Sequence, residues 1–305
     1  MVNLCLVGFG RWGQVYLKEM ENCADAKVVA IVSNNHDATS KINRNIAVYN
    51  KLDDALKHLR IDGVLLATPP KKHFTDANIC LDSSIPLLLE KPCTTNRHEL
   101  EALIDKSLRK GTLLVPGYQH LYTKNYATMK SALFKASGTK RLHSQSLSVG
   151  PIRSDETVLR DWGSHQIAMA IDLFEQYPSD VSVHRLKGDS VYCANYELSM
   201  SFGDSCRSHS VFGNLSNIKT NWTIAASEHG VTYINHLDRS PAYLTQDNRS
   251  LFASNCGEST TSPVSQMLLY FINAIRVTHV NDKILETAYM TATVLDKFNK
   301  PSGEK

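Results

Sequence analysis

Short apolar runs recur along the first 118 residues, separated by stretches that read as helices. Leu4–Val7, KVVAIVS (27–33), AVY (47–49), GVLLAT (63–68), PLLLE (86–90) and TLLVPGY (112–118) each suit a strand. They are β-branched or leucine-rich rather than alternating, the composition of strands covered on both faces. The stretches from Trp12 to Asn22, 51–59, 71–83 and 97–109 predict helices. Asn96, followed three residues later by Glu99, resembles a capping box for the last of these. Strands this short, alternating with helices, predict a doubly wound parallel sheet built from right-handed crossovers. In such sheets ligands bind outside the carboxyl ends of the strands. Glu90-Lys91-Pro92 stands at one of those ends, where two opposite charges and a rigid imide interrupt a leucine run.

The pattern changes after about residue 120. An amphipathic stretch at 123–136 leads to a strand near 140–149 and a helix from Trp162 to Gln176. Strand-like runs follow at 181–187, 191–202, 206–213, 219–226 and 229–235, separated by turn signals such as Gly-Asp and Gly-Asn. Neighbours of this kind predict a largely antiparallel sheet, and helices near 263–279 and 284–299 close the chain. The expected fold class is α/β: an N-terminal Rossmann domain over 1–119, then an α+β domain over 120–305.

Composition narrows the classes. The 305 residues suit two ordinary domains, and 42% apolar with 21% charged residues describes a soluble globular chain. A formal charge of +3 gives no reason to expect a nucleic-acid or membrane partner. No apolar run approaches the roughly 18 residues that cross a bilayer. The seven cysteines are scattered, odd in number and without a C-x-x-C pair. They predict reduced, mostly buried thiols of a cytoplasmic protein, with no metal site.

The turn GFGRWG (8–13) carries the first candidate chemistry. Gly8, Gly10 and Gly13 match G-x-G-x-x-G between a strand and a helix. There Gly8 permits the tight turn, Gly10 lets a pyrophosphate approach, and Gly13 lets helix and strand pack closely. The helix N-terminus would face the phosphates, with Phe9, Arg11 and Trp12 in the same turn. An acid usually stands about 20 residues on in NAD-selective sites. Here that place holds Ser33, Asn34 and Asn35, with Asp37 slightly late. These polar side chains suit a 2′-phosphate, with Lys41 or Arg44 supplying charge, or they only form a turn. The expectation for the cofactor is NAD(P), tilted to NADP.

GFGRWG, ATPPKKH (67–73), EKP (90–92) and RDWGSHQIAMAIDLF (160–174) occur in an order that resembles the Gfo/Idh/MocA oxidoreductases, typified by glucose-fructose oxidoreductase and inositol dehydrogenase. The resemblance covers nearly the whole chain. It implies hydride transfer between a nicotinamide cofactor and a hydroxyl or keto carbon of a sugar-like substrate, including nucleotide-linked sugars. Lys91 would polarise the substrate oxygen, and Pro92 would follow a cis bond. Asp161 and His165, four residues apart, would share one helix face, with His165 as general acid/base. Thr68, Pro69, Pro70 and His73 would lie along the nicotinamide ribose, with Glu90 beside Lys91. Tyr118, His120, Tyr122 and Trp162 would join Lys91 and His165 around the substrate. The chain departs from the family at His120, where an arginine is common, at Lys124, in place of a proline, and at Gln166, where many relatives carry an acid.

The family also implies a homo-oligomer formed through the C-terminal sheet. Two other readings remain open: a non-catalytic dinucleotide sensor, and an enzyme that cleaves glycosides by transient oxidation.

Overall fold

The computed structural model describes residues 1–40, 42, 45–134, 136–150, 152–237, 243–246, 249–251, 261–277 and 282–298. Lys41 and Arg44 lie outside the described residues, as does Cys256.

The first sheet is built from β1 (Val2–Val7), β2 (Ala26–Val32), β3 (Ala47–Tyr49), β4 (Gly63–Leu66), β5 (Leu87–Glu90) and β6 (Leu114–Gly117). Its order is β3-β2-β1-β4-β5-β6, with every neighbouring pair parallel. That order reverses between β1 and β4, the crevice where such sheets bind ligands. The four residues of β4, and likewise those of β5, are all buried, which explains why their sequences do not alternate. The connecting helices are α1 (Arg11–Met20), the short α2 (His36–Thr39), α3 (Leu52–His58), α4 (Pro70–Asp82) and α5 (Arg97–Lys110). The cap of α5 follows the sequence pattern with one shift. Asn96 Oδ1 accepts from Glu99 N at 3.0 Å, whereas the Glu99 carboxylate reaches back to Thr95 N at 3.1 Å. Gly111 closes the helix at φ +60°, a conformation that favours glycine.

The second sheet holds β7 (Lys140–Val149), β8 (Asp180–Ser190), β9 (Cys193–Phe202), β10 (Cys206–Gly213), β11 (Leu215–Ser227), β12 (Gly230–Asn235), β13 (Tyr243–Gln246) and β14 (Arg249–Leu251). Its order is β14-β13-β12-β11-β7-β10-β9-β8. The pairings are antiparallel except that of β7 with β10, because β7 is inserted between β10 and β11. The sequence pattern did not reveal β13 and β14. Helices α6 (Lys124–Phe134) and α7 (Ser164–Phe174) precede β8, while α8 (Pro263–Val277) and α9 (Asp282–Asp296) end the described chain.

The division into compact units differs from the expected boundaries 1–119 and 120–305. Met1–Tyr118 is joined by Val264–Thr293, and Gln119–Pro263 by Val294–Lys305. Packing gives the reason. A Cβ on Gly63 would lie 2.7 Å from Ile275 Cδ1 and 3.2 Å from Phe271 Cζ, so α8 lies against β4. Ser265 donates to Glu19 of α1, and Arg276 pairs with Asp25 at 2.7 Å. The amphipathic pattern of α8 was legible in the sequence, but not which sheet it would cover.

Phe271 is fully buried. Phe271→Ala should cost about 3–5 kcal/mol, the usual range for emptying a buried aromatic site, read as the urea midpoint with unchanged slope. A loss below about 1 kcal/mol would contradict the packing of α8 on this sheet.

Candidate dinucleotide and catalytic sites

The turn after β1 has the geometry its glycines require. Gly8 sits at φ +92°, and a Cβ there would come within 2.6 Å of the Ala67 carbonyl oxygen. On Gly13 a Cβ would meet the Gly8 carbonyl oxygen at 2.1 Å, so helix and turn interlock only without side chains. Gly10 is different, for a Cβ there would meet nothing within 4 Å. Internal packing therefore does not require that glycine, whereas a phosphate approaching the backbone would. Gly10 is also the N-cap of α1, whose first turn carries no acid. The uncapped end of the helix dipole suits an anion, so these residues fit the pyrophosphate of a dinucleotide. Phe9 is buried beneath the turn and offers only backbone, while Arg11 is exposed and Trp12 partly so.

Beyond β2 the polar residues are largely occupied with the turn itself. Ser33 Oγ accepts from Asn35 N at 3.1 Å, and Asn35 Oδ1 accepts from Ala38 N at 3.1 Å, starting α2. Asn34 is exposed.

At the end of β5, Glu90 is buried and fully engaged. Tyr16 of α1 donates its hydroxyl to Glu90 Oε1, and the main-chain N–H of Lys91 donates to Oε2 at 2.9 Å. Glu90 thus braces the backbone of Lys91 and ties it to the helix that starts at the phosphate turn. The sequence set Glu90 beside Lys91 among the residues of the dinucleotide site, and these two bonds hold it at that turn. Lys91 is itself buried, and the Lys91–Pro92 bond is cis, as the resemblance implied. Burial pushes the neighbouring Cys93 thiol up to about 12, so it is an inert thiol rather than a nucleophile.

Two further expected site residues are buried. The His73 ring is fully buried, with Nε2 2.7 Å from the Thr68 carbonyl and Nδ1 3.0 Å from that of Pro92. A ring so enclosed has no surface left for a cofactor. Tyr118 is 2% exposed and packs beside Cys93. Thr68, Pro69 and Pro70 do stand at the carboxyl end of β4, with Thr68 Oγ1 donating to Asp76 at 2.9 Å and Pro70 opening α4.

In the second unit, α7 is buried on almost every side. Ser164 and Gln166–Phe174 are all buried, and His165 is the side chain of this helix that reaches the surface. Gln166 explains its own departure from the family, since its Oε1 accepts from Ser144 Oγ at 2.6 Å and anchors the helix to β7. Asp161 and His165 do not share a regular α-helix as the spacing suggested. Leu159–Gly163 is a π-helical turn that precedes α7, a distortion often found at functional sites. Arg153 lies 3.8 Å from Asp161, and Trp162 packs near Gly150.

His120 and Tyr122 fall in a 3₁₀ turn, Gln119–Tyr122. The His120 ring meets that of His165 edge-on at 5.2 Å, and also that of His236 at 4.8 Å. Sequence reasoning missed His236, which follows β12 far along the chain with no motif around it. Thr223 Oγ1 lies 2.9 Å from its Nε2, and burial, with His120 beside it, holds its pKa well below the ordinary value. Among the described residues no group of His, Cys, Asp and Glu is placed to hold a metal ion. Nor is any helix there long and apolar enough to cross a membrane.

Gly10 and Gly13 make opposite predictions. Gly10→Val should leave the melting temperature nearly unchanged and weaken dinucleotide binding by several kcal/mol, an order-of-magnitude figure for a clash at a phosphate cradle. Gly13→Val should instead unfold the protein or lower its melting temperature markedly. Titration with NADH alongside thermal melts checks both; unchanged affinity in Gly10→Val would contradict the cradle.

Comparison with known proteins agrees with this geometry. Residues 2–118 match the family model described as "Oxidoreductase family, NAD-binding Rossmann fold", GFO_IDH_MocA. The rhizopine catabolism protein MocA of Rhizobium meliloti is 30% identical over 118 residues, 38% of this chain and 37% of that protein. Myo-inositol 2-dehydrogenase of Thermotoga maritima is 20% identical over 131 residues, 42% of this chain and 39% of that one. These matches span about two fifths of the length of the curated relatives. Across both units the fold is shared with UDP-N-acetylglucosamine 3-dehydrogenase GnnA of Acidithiobacillus ferrooxidans. The TM-score is 0.84 at 14% identity, covering 97% of this chain and 95% of that one. Residues 2–118 are thus similar to the NAD-binding Rossmann domain of the Gfo/Idh/MocA oxidoreductases.

Proposed function

We propose that the chain is an NAD(P)-dependent dehydrogenase or reductase that acts on a hydroxyl or keto carbon of a sugar-like substrate. The observation that carries this reading is Lys91, buried at the carboxyl end of β5, with its backbone braced to the helix of the dinucleotide turn through Glu90. The inositol and nucleotide-sugar dehydrogenases among the similar proteins support the substrate class. When bound, the nicotinamide supplies or accepts the hydride. Lys91 donates to the substrate oxygen and stabilises the negative charge that develops there. His165 takes the hydroxyl proton during oxidation and returns it during reduction. Asp161 orients one of these groups. In this proposal the cofactor choice is relaxed or tilted to NADP, because no carboxylate stands at Ser33–Asn35 to repel a 2′-phosphate.

Binding and turnover test separate parts of the proposal. Lys91→Met should keep the fold and dinucleotide affinity while lowering turnover by about 10²–10³, the usual effect of removing a charge-stabilising donor. His165→Ala should cost on the order of 10²–10⁴. The assay is a screen of polyols, sugars and nucleotide sugars, read by nicotinamide absorbance with both cofactors. Near-normal turnover in Lys91→Met would overturn its role. Binding of dinucleotide with no oxidation or reduction of any such substrate would favour a sensor.

A further inference from the structure

His73 lies where two turns leave neighbouring strands. Thr68 follows β4, Pro92 and Cys93 follow β5, and these strands pair in parallel. The ring stands between the turns, with Nε2 2.7 Å from the Thr68 oxygen, and Nδ1 3.0 Å from that of Pro92 and 3.2 Å from that of Cys93. It is fully buried at the start of α4. The charged group that acts on it is Asp76, one helical turn along, whose carboxylate accepts from Thr68 Oγ1 at 2.9 Å.

Burial lowers the imidazole's pKa, against the three carbonyls and Asp76, which raise it. Both ring nitrogens lie within hydrogen-bond distance of main-chain oxygens, which only accept: Nε2 faces Thr68, and Nδ1 faces Pro92 and Cys93. The ring therefore bridges the two turns and fixes the gap between them. Its rigid plane cannot shorten or bend as an aliphatic side chain would.

We propose that His73 is a positioning residue for the nicotinamide end of the dinucleotide, setting the separation of the Thr68 and Lys91 turns without touching the ligand. The inference rests on the proposed placement of the nicotinamide ribose along Thr68–Pro70 with Lys91 beside the ring. Small displacements matter there, because hydride transfer requires reacting atoms about 3–3.5 Å apart. The adenosine and pyrophosphate half would lie at the Gly8–Gly13 turn, which His73 does not contact, so the two halves of the ligand should respond differently.

That difference can be read without knowing the substrate. Wild type, His73→Phe and His73→Gln would be titrated with NADH and with ADP-ribose, which lacks the nicotinamide, and the emission of bound NADH recorded. His73→Phe should hold ADP-ribose within about twofold of wild type, bind NADH about tenfold more weakly (about 1.4 kcal/mol) and lose the blue shift of enclosed NADH. His73→Gln keeps a donor for Thr68 and should recover part of that loss; it carries the same comparison if the Phe variant does not fold. Equal weakening of both ligands would overturn the proposal, since a merely structural histidine would produce it. So would unchanged NADH affinity and emission in both variants. A wild-type protein that binds neither of these ligands nor NADPH would overturn the dinucleotide reading itself, a result distinct from either of these.

Discussion

One buried carboxylate organises the dinucleotide end of this chain. Glu90 cannot remain charged and buried without partners, for an unpaired carboxylate in the interior is very costly. Its two oxygens take the Tyr16 hydroxyl and the Lys91 N–H. Tyr16 stands on the helix that begins at the phosphate turn, so the turn and the backbone of Lys91 are fixed by a single group. The neighbouring strand comes close to this backbone: a Cβ on Gly117 of β6 would lie 3.0 Å from Glu90 Cα. The charges that interrupt the leucine run therefore have separate tasks. Glu90 satisfies the interior, and in the proposed function Lys91 carries the chemistry.

The second unit solves a similar problem with a helix. Hydrophobic residues around the whole of α7 make it a core element, and its polar residues are tied inward. Gln166 bonds to Ser144, which in turn reaches Ser210 at 2.8 Å, while Asp172 accepts from Tyr126 at 2.8 Å and from Lys130 at 2.9 Å. A helix held this firmly gives His165 a fixed position. Next to it the rings of His120 and His236 extend the row of imidazoles, and Thr223 anchors the far end.

Much of this was legible from local pattern. The fully buried strands of the first sheet, the three glycines and the E-K-P turn each depend on neighbours close in sequence, and they fell where the sequence put them. What the sequence hid depends on distant partners. That α8 would cover β4 is decided by the fit of Phe271 and Ile275 against Gly63, some 200 residues away. His73 and Tyr118 are named through the family resemblance, and their burial depends on carbonyls and Cys93 that only the fold brings against them. The π-helical turn at Leu159–Gly163 has no signature in helical periodicity, and His236 has no motif at all.

The most direct test of this account is a crystal structure of the protein with bound NADH. The pyrophosphate should lie over the Gly10 backbone at the N-terminus of α1. The nicotinamide ribose should follow Thr68–Pro70, and the nicotinamide ring should stand beside the Lys91 ammonium, with Glu90 still bonded to Tyr16. A dinucleotide bound away from the Gly8–Gly13 turn, or with its nicotinamide remote from Lys91, would contradict the account.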